Sequence, residues 1–137
     1  MENQLKATEL RIGNLVKYKL SNIPQEIKSL ISHEDGYYVN FRTSSFGNSI
    51  DKIEPIQITE DILVKLGFEK FSSTPYWLNY KNEKGFGISQ WLSKEPVVGF
   101  EKTASWYHGD DFMEIKSVHH LQNYYHAKTG EELTFKN

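Results

Sequence analysis

The sequence predicts an α+β fold: a small N-terminal β-barrel, a short helix, and an antiparallel sheet covered by a C-terminal helix. Three observations lead to this prediction. Short strand-like segments separated by turn signals fill residues 10–58. Helix start signals occur at Thr59 and again at Ser117. Between them, the stretch from Tyr76 to Phe112 holds nine aromatic residues in 37 positions, as expected for a sheet that buries one face.

Residues 10–58 are predicted to form four or five short strands. Glycine-containing turns are expected at Gly13-Asn14 and at Asp35-Gly36, and the segment DGYYVNF alternates in strand fashion after the second turn. Pro55 suits an edge strand or a strand boundary. So few short strands cannot form a large sheet, but they can curl into a small barrel. Closing the barrel would remove the exposed strand edges.

The segment TEDILVKLGF is predicted to be a short helix. Thr59 can accept a hydrogen bond from a free N–H group at its start, and the two acidic residues that follow complement the helix dipole. Gly67 fits the left-handed position that ends a helix. The helix is expected to bury three apolar residues: Ile62, Leu63 and Leu66.

Strand patterns return over residues 76–115. YWLNYK and GFGISQWL flank the hairpin signal NEKG, and HGDD marks another turn before FMEI. Together with the short helix and the helix that begins at Ser117, these strands define a subdomain of residues 59–137. Residues 1–58 form the barrel-like subdomain, and we expect the two to pack as one unit.

The final helix, SVHHLQNYYHAKTGEEL, is rich in histidine, but the spacing disfavours a metal site. His119 and His126 lie two turns apart, about 10 Å along the axis, whereas a zinc helix places histidines four residues apart. We predict no metal site. His119, Gln122 and Asn123 lie on or beside the apolar face, where we expect them to bond to neighbouring backbone groups.

A catalytic constellation is not recognisable, so we expect no catalytic residues and no cofactor. The absence of cysteine excludes thiolate zinc sites and cysteine nucleophiles, and no serine has a G-x-S-x-G context. One enzymatic alternative stays open. His108, Asp110 and Asp111 in HGDD have the side chains that metal-assisted hydrolysis needs, although Gly-Asp beside strands is first a turn signal.

Exposed aromatic side chains on the predicted sheet are the main binding candidates. Strand alternation allows one or two rings per strand to face outward, where they can stack on bases or on a sugar. The candidate binding residues are Trp77, Trp91, Trp106, His119 and Asn123. Single-stranded nucleic acid is the alternative ligand. It is disfavoured because the formal charge is −2 and neither part of the chain is basic.

The location predicted from the sequence is the cytoplasm. Cysteine is absent, which suits a reducing compartment. The first residues, MENQLKATELRIGN, lack the apolar core of a signal peptide, and no apolar run has the length of a membrane span. We therefore expect no contact with a membrane.

Three stretches together resemble a family of short uncharacterised bacterial proteins, often encoded in mobile or prophage-like regions. The stretches are LRIGNLV, IEPIQITEDILVKLGFEK and VHHLQNYYHAKTGEEL, about a third of the chain. Ile58 departs from the usual leucine, and His120 and His126 depart from the typical glutamine or apolar residues. The matching residues of the last stretch are His119, Leu121, Gln122, Asn123, Tyr125, Ala127, Thr129, Gly130, Glu131 and Glu132.

This resemblance implies no activity, and it leaves His119 as the histidine of most interest. The Gly-Asn-Leu-Val opening is separately similar to small SH3-like barrels, which bind peptides or nucleic acid. The favoured function is therefore a non-enzymatic module that binds a protein partner, with an accessory role in mobile-element or phage biology as the further expectation.

Overall fold

A computed structural model describes residues 5–42, 47–92, 104–109 and 112–136. The chain divides into two compact units. The first contains Met1–Gln57 and Ser117–Glu132, and the second contains Ile58–Lys116 and Leu133–Asn137. Within the described residues, each unit has one antiparallel sheet and one α-helix, which confirms the predicted α+β class.

The first unit is built on a five-stranded sheet in the order β4-β3-β2-β1-β5. A β-bulge between Ile27 and Ser29 bends β2. Two 3₁₀-helices, Ala7–Glu9 and Ile50–Lys52, flank the strands. The strands are β1 (Leu15–Tyr18), β2 (Gln25–His33), β3 (Gly36–Phe41), β4 (Asn48–Ser49) and β5 (Ile53–Glu54).

This sheet is curled but not closed, so the predicted barrel is wrong in its closure. Within the described residues, β4 pairs only with β3, and β5 pairs only with β1. The three residues Ile50–Lys52 link the two edge strands, and such a link spans at most about 14 Å. The edges of a flat five-stranded sheet lie about 19 Å apart. The short link therefore requires the sheet to curve. The edge strands β4 and β5 have two residues each, which is too short for a ladder of hydrogen bonds between them that would close the barrel.

Within the described residues, an apolar cluster forms the core of the first unit. Tyr18 packs edge-on against Phe41, with ring centroids 5.3 Å apart. The buried residues of the cluster are Leu5, Leu10, Val16, Ile27, Val39, Phe41, Ile50 and Ile53. Leu5 and Leu10 precede β1, so the segment before the first strand is part of the core.

The second unit is an antiparallel meander in the order β10-β9-β8-β7-β6, preceded by helix α1 (Glu60–Lys65). Thr59 caps α1 by accepting a hydrogen bond from the Ile62 N–H at 3.2 Å, and Gly67 takes a positive φ of 94° after it. Both features were predicted. The strands are β6 (Glu69–Ser73), β7 (Trp77–Lys81), β8 (Gly87–Trp91), β9 (Trp106–His108) and β10 (Met113–Ile115).

Both faces of this sheet carry buried residues, with Trp91 and Tyr107 on the face opposite Tyr80 and Ile88. Tyr80 and Ile88 stand opposite each other in the β7–β8 ladder and are buried, and Leu63 of α1 is also fully buried. The other buried apolar residues among the described residues of this unit are Ile58, Leu66, Phe68, Phe86, Trp91, Trp106, Tyr107, Ile115 and Leu133.

Helix α2 (Val118–Thr129) belongs to the first unit, whereas the sequence assigned it to residues 59–137 as the cover of the second sheet. Ser117 caps its start and Gly130 ends it with a φ of 77°. Its apolar face is buried as predicted, but the contacts described below lie on the segment before β1. This helix has 12 residues, and no helix in the described parts of the chain has the length and apolarity to cross a membrane.

Candidate functional site

The polar residues of α2 meet the turn that precedes β1. In this turn the Asn14 N–H donates to the Arg11 carbonyl at 3.0 Å, and the Asn14 side-chain oxygen accepts from the Arg11 N–H at 2.7 Å. Gly13 has a φ of 96°, a left-handed conformation that favours glycine. Asn14 is only 1% exposed. The sequence Arg-Ile-Gly-Asn thus forms a closed turn in which the Asn14 side chain is buried.

Gln122 of α2 bonds to the backbone of this turn as a neighbouring strand would. Its Oε1 accepts from the Leu15 N–H at 2.8 Å, and its Nε2 donates to the Gly13 carbonyl at 3.1 Å. The side chain is 1% exposed. A buried amide needs partners at both ends, and these two backbone groups supply them.

Asn123 extends the same contact toward the surface. Its Oδ1 accepts from Asn14 Nδ2 at 2.8 Å and from Arg11 Nη1 at 2.9 Å, while its Nδ2 donates to the Glu9 carbonyl at 2.9 Å. The other guanidinium nitrogen of Arg11 forms an ion pair with Glu132. Since Glu132 follows the end of α2, Arg11 connects the turn to both the helix and its exit.

His119 forms the inner end of the arrangement and is 3% exposed. Its Nε2 lies 3.1 Å from a carboxylate oxygen of Glu9, and its Nδ1 lies 3.1 Å from the Ser117 hydroxyl. Ionised Glu9 can only accept, so Nε2 carries the hydrogen, and the Ser117 hydroxyl donates to Nδ1. The same Ser117 oxygen accepts from the His120 N–H at 3.3 Å as the helix cap. These contacts hold a neutral imidazole.

Burial lowers the pKa of His119 below its usual value of 6.5. The Glu9 carboxylate favours the charged form and offsets part of this effect, whereas His120 adds to the lowering. Protonation would also place a hydrogen on Nδ1, where the Ser117 hydroxyl now donates. The folded unit therefore favours the neutral ring.

We call this set of contacts the polar network; its members are Glu9, Arg11, Gly13, Asn14, Leu15, Ser117, His119, Gln122, Asn123 and Glu132. Two of the five candidate binding residues, His119 and Asn123, belong to it. Their side-chain atoms form hydrogen bonds within the chain. The docking of α2 therefore explains why polar residues occupy these two positions. The sequence pattern places them beside the packing face and predicts such bonds, but it does not identify the partners.

The three tryptophans do not form one surface. Trp77 and Trp91 are opposite each other in the β7–β8 ladder, and their ring centroids lie 4.9 Å apart. Trp106 pairs with Gln90, and both side chains lie on the sheet face opposite Trp77 and Trp91. The Trp106 ring packs on Tyr80, with ring centroids 5.6 Å apart. Trp91 and Trp106 are each 7% exposed, while Trp77 is half-buried. Only Trp77 presents a substantial surface.

His108, the first residue of the hydrolase alternative, is buried in the second unit. Its Nδ1 donates to the Gly87 carbonyl at 2.7 Å, and its ring stacks on Phe86 with centroids 4.3 Å apart. Asp110 and Asp111 lie outside the described residues. Within the part of the chain that is described, no group of three or more His, Cys, Asp and Glu side chains could hold a metal ion.

Sequence reasoning missed the loop between β1 and β2. Leu20 in this loop has a φ of 67° and is 102% exposed, and Ile23 is 65% exposed. Backbone bonds hold the loop in place: the Lys19 N–H donates to Lys52, and the Ser21 N–H donates to Tyr18. The signal was the apolar pair in KLSNIP, because apolar residues are unexpected beside Ser, Asn and Pro in a turn.

Replacing Gln122 by Met should destabilise the protein by about 2–4 kcal/mol, because the Leu15 N–H and the Gly13 carbonyl would then be buried without partners. Urea unfolding followed by circular dichroism measures the change. Lys128→Met on the exposed part of α2 is the matched control and should change the stability by less than about 0.5 kcal/mol. Equal effects of the two substitutions would contradict a docking role for Gln122.

The stability of the first unit should fall as the pH drops below 6.5, the usual pKa of histidine. The unfolded chain then binds a proton at His119 that the folded chain resists, so the loss grows until the pH reaches the lowered folded pKa and then levels off. Urea unfolding between about pH 8 and about pH 5 measures the slope. His119→Gln should flatten it, whereas His33→Gln, at an exposed position of β2 in the same unit, should not. A slope that survives His119→Gln would contradict this assignment.

No family model, curated protein or solved structure matches this chain. The resemblance to a family of short bacterial proteins therefore stays a prediction. Two of the three stretches that carry it nevertheless meet in space, since Arg11, Gly13 and Asn14 of the first contact Gln122 and Asn123 of the last. The pattern in these two stretches is accounted for by the docking of α2.

Proposed function

We propose that the protein is a non-enzymatic interaction module that binds a protein partner through the loop of residues 19–24. The observation that carries this proposal is Leu20, which combines a left-handed backbone conformation with complete exposure of an apolar side chain. Ile23, three residues later, adds a second exposed apolar side chain. Neither feature contributes to the core of the first unit.

The energetics of Leu20 argue against an accidental arrangement. A left-handed conformation costs a residue with a side chain about 1–2 kcal/mol, and glycine or asparagine adopts it more easily. A fully exposed leucine recovers none of this cost through burial within the chain. Burial in a partner would recover it, since burying a leucine or isoleucine side chain contributes about 1.5–3 kcal/mol. Residues with strained backbone conformations are concentrated at active sites, ligand-binding sites and switch regions of folded proteins.

A protein partner suits the chemistry of the loop. Two apolar side chains on a loop held by backbone bonds fit an apolar pocket, and Lys19 beside them can pair with an acidic rim. The resemblance of the N-terminal part to SH3-like barrels, which include peptide-binding domains, supports the same proposal. A cytoplasmic location and an accessory role in mobile-element or phage biology are the further parts of the proposal, and they rest on the absence of cysteine and on the family resemblance.

Binding of single-stranded nucleic acid is the second candidate, favoured by the ring of Tyr76. This ring is 57% exposed and stacks on Trp91 with centroids 6.1 Å apart, beside the half-buried Trp77. Two adjacent rings can hold stacked bases. The formal charge of −2 gives little attraction to phosphate, and Trp91 itself is almost fully buried. Protein binding therefore has the stronger support.

Leu20→Asn should abolish partner binding while leaving the stability unchanged or raising it by up to about 1 kcal/mol, because asparagine tolerates the left-handed conformation. Affinity capture from the host, with quantification of each retained protein, identifies the partner, and titration of the purified partner measures the affinity. Urea unfolding of the same variants measures the stability.

Leu30→Asn is the matched control, since Leu30 is a partly exposed leucine of the same unit that lies in β2. It should retain the partner. A partner that binds the Leu20 variant as tightly as the unaltered protein would contradict the proposal, as would a large loss of stability in that variant.

A further inference from the structure

A pocket of about 290 Å³ lies in the second unit beside strands β6 to β9, and the buried residues Tyr80 and His108 are part of its lining. Asn79 of β7 and Ser89 of β8 form its floor, where they stand opposite each other in the ladder. Phe71 of β6 and Lys81 of β7 also line it. This volume is at the lower end of the range for small-molecule pockets, about 300–1,000 Å³, so the space suits a ligand with a single ring.

Two of the three glycine residues that line the pocket are not explained by the fold. Gly85 is explained, because it has a φ of 82° in the turn between β7 and β8. Gly87 and Gly109 lack a positive φ. A Cβ on Gly87 would make only ordinary contact, 3.7 Å from the Tyr80 carbonyl, and no described atom lies within 4 Å of a Cβ on Gly109. Glycine weakens a strand, so its effect here is to keep the pocket open.

Two hydrogen bonds fix the orientation of the Asn79 side-chain amide in the pocket. The Ser89 hydroxyl donates to Asn79 Oδ1 at 2.6 Å, and Asn79 Nδ2 donates to the Ser72 hydroxyl at 3.0 Å. An amide nitrogen carries two hydrogens, and Ser72 accepts only one of them. These bonds fix the Asn79 amide with its nitrogen available to a second acceptor.

Lys81 gives the pocket a positive charge. Its ammonium lies 4.8 Å from the centroid of the Phe71 ring, an arrangement that holds the charge beside an aromatic wall. None of the described residues that line the pocket carries a carboxylate. Donors and positive charge favour an anion, and the Phe71 ring, part of a side chain that is 54% exposed, offers a flat apolar surface.

We infer that this pocket binds a small aromatic carboxylate. The carboxylate accepts hydrogen bonds from the Lys81 ammonium and the Asn79 amide, and the ring of the ligand packs on Phe71 in the space that Gly87 leaves open. This binding site goes beyond the proposed interaction function, because that function rests on the loop of residues 19–24 in the first unit.

Titration of the ¹⁵N-labelled protein with benzoate tests the inference. Benzyl alcohol is the neutral probe with the same ring, and acetate is the anion without a ring. Benzoate should shift the amide signals of Gly87, Ser89 and Gly109 and should bind about tenfold more tightly than either control. No shift at these residues, or equal binding of benzoate and benzyl alcohol, would overturn the inference.

Two variants locate the site. Lys81→Gln should weaken benzoate binding about tenfold, whereas Lys70→Gln, the same change on β6 outside the pocket, should not alter it. Gly87→Val should abolish binding by filling the pocket, since its Cβ meets only ordinary contacts. Unchanged binding in either Lys81→Gln or a folded Gly87→Val would overturn the inference. Leu20→Asn should bind benzoate normally, which separates this result from that of the proposed function.

Discussion

The first unit depends on the side-chain amide of Gln122, which serves as the missing strand partner for the backbone around Gly13 and Leu15. An amide can do this because its donor and its acceptor meet a carbonyl and an N–H group two residues apart on an extended chain. The requirement is strict. Each buried backbone group left without a partner costs about 1–3 kcal/mol, so a shift of α2 by one residue would cost several kcal/mol.

The polar network also explains why α2 occupies one position. The apolar residues Val118, Leu121 and Tyr125 supply burial, but burial is non-directional and is satisfied by any apolar surface of suitable shape. Asn14 and Asn123 supply direction, since their amide groups bond to each other at 2.8 Å. Apolar contacts hold the helix against the unit, and the amide groups determine its register.

The sequence predicted local features well because these depend on neighbouring residues. The caps at Thr59 and Ser117, the stop at Gly67 and the turn at Asp35-Gly36 all follow from short-range chemistry. The sheet that receives α2 could not be predicted, because the apolar stripe of a helix does not specify its partner. The partners of Gln122 and Asn123 lie more than 100 residues away. Barrel closure depended on edge strands whose two-residue length no pattern revealed.

The surroundings of the candidate-site residues could not be predicted for a related reason. The histidine spacing argued against a shared metal, and the structure gives His119 a bond within the polar network. The conformation and exposure of Leu20 follow from the path of a turn, which residue types alone do not determine. The pocket beside Phe71 combines β6, β7 and β8 in a register set by two hairpins. The left-handed conformation of the exposed Leu20 and the position of Gly87 in a strand that lines the pocket could be recognised only from the structure.

The central claim is that the polar network is a cooperative docking contact, and a double-mutant cycle between Asn14 and Asn123 tests it most directly. The free energy of unfolding is measured for Asn14→Ala, for Asn123→Ala and for the double variant. Because the two side chains share one hydrogen bond at 2.8 Å, the account predicts a coupling free energy of about 1–2 kcal/mol. The account would be contradicted if each single variant were nearly as stable as the unaltered protein and the two losses in free energy of unfolding simply added in the double variant.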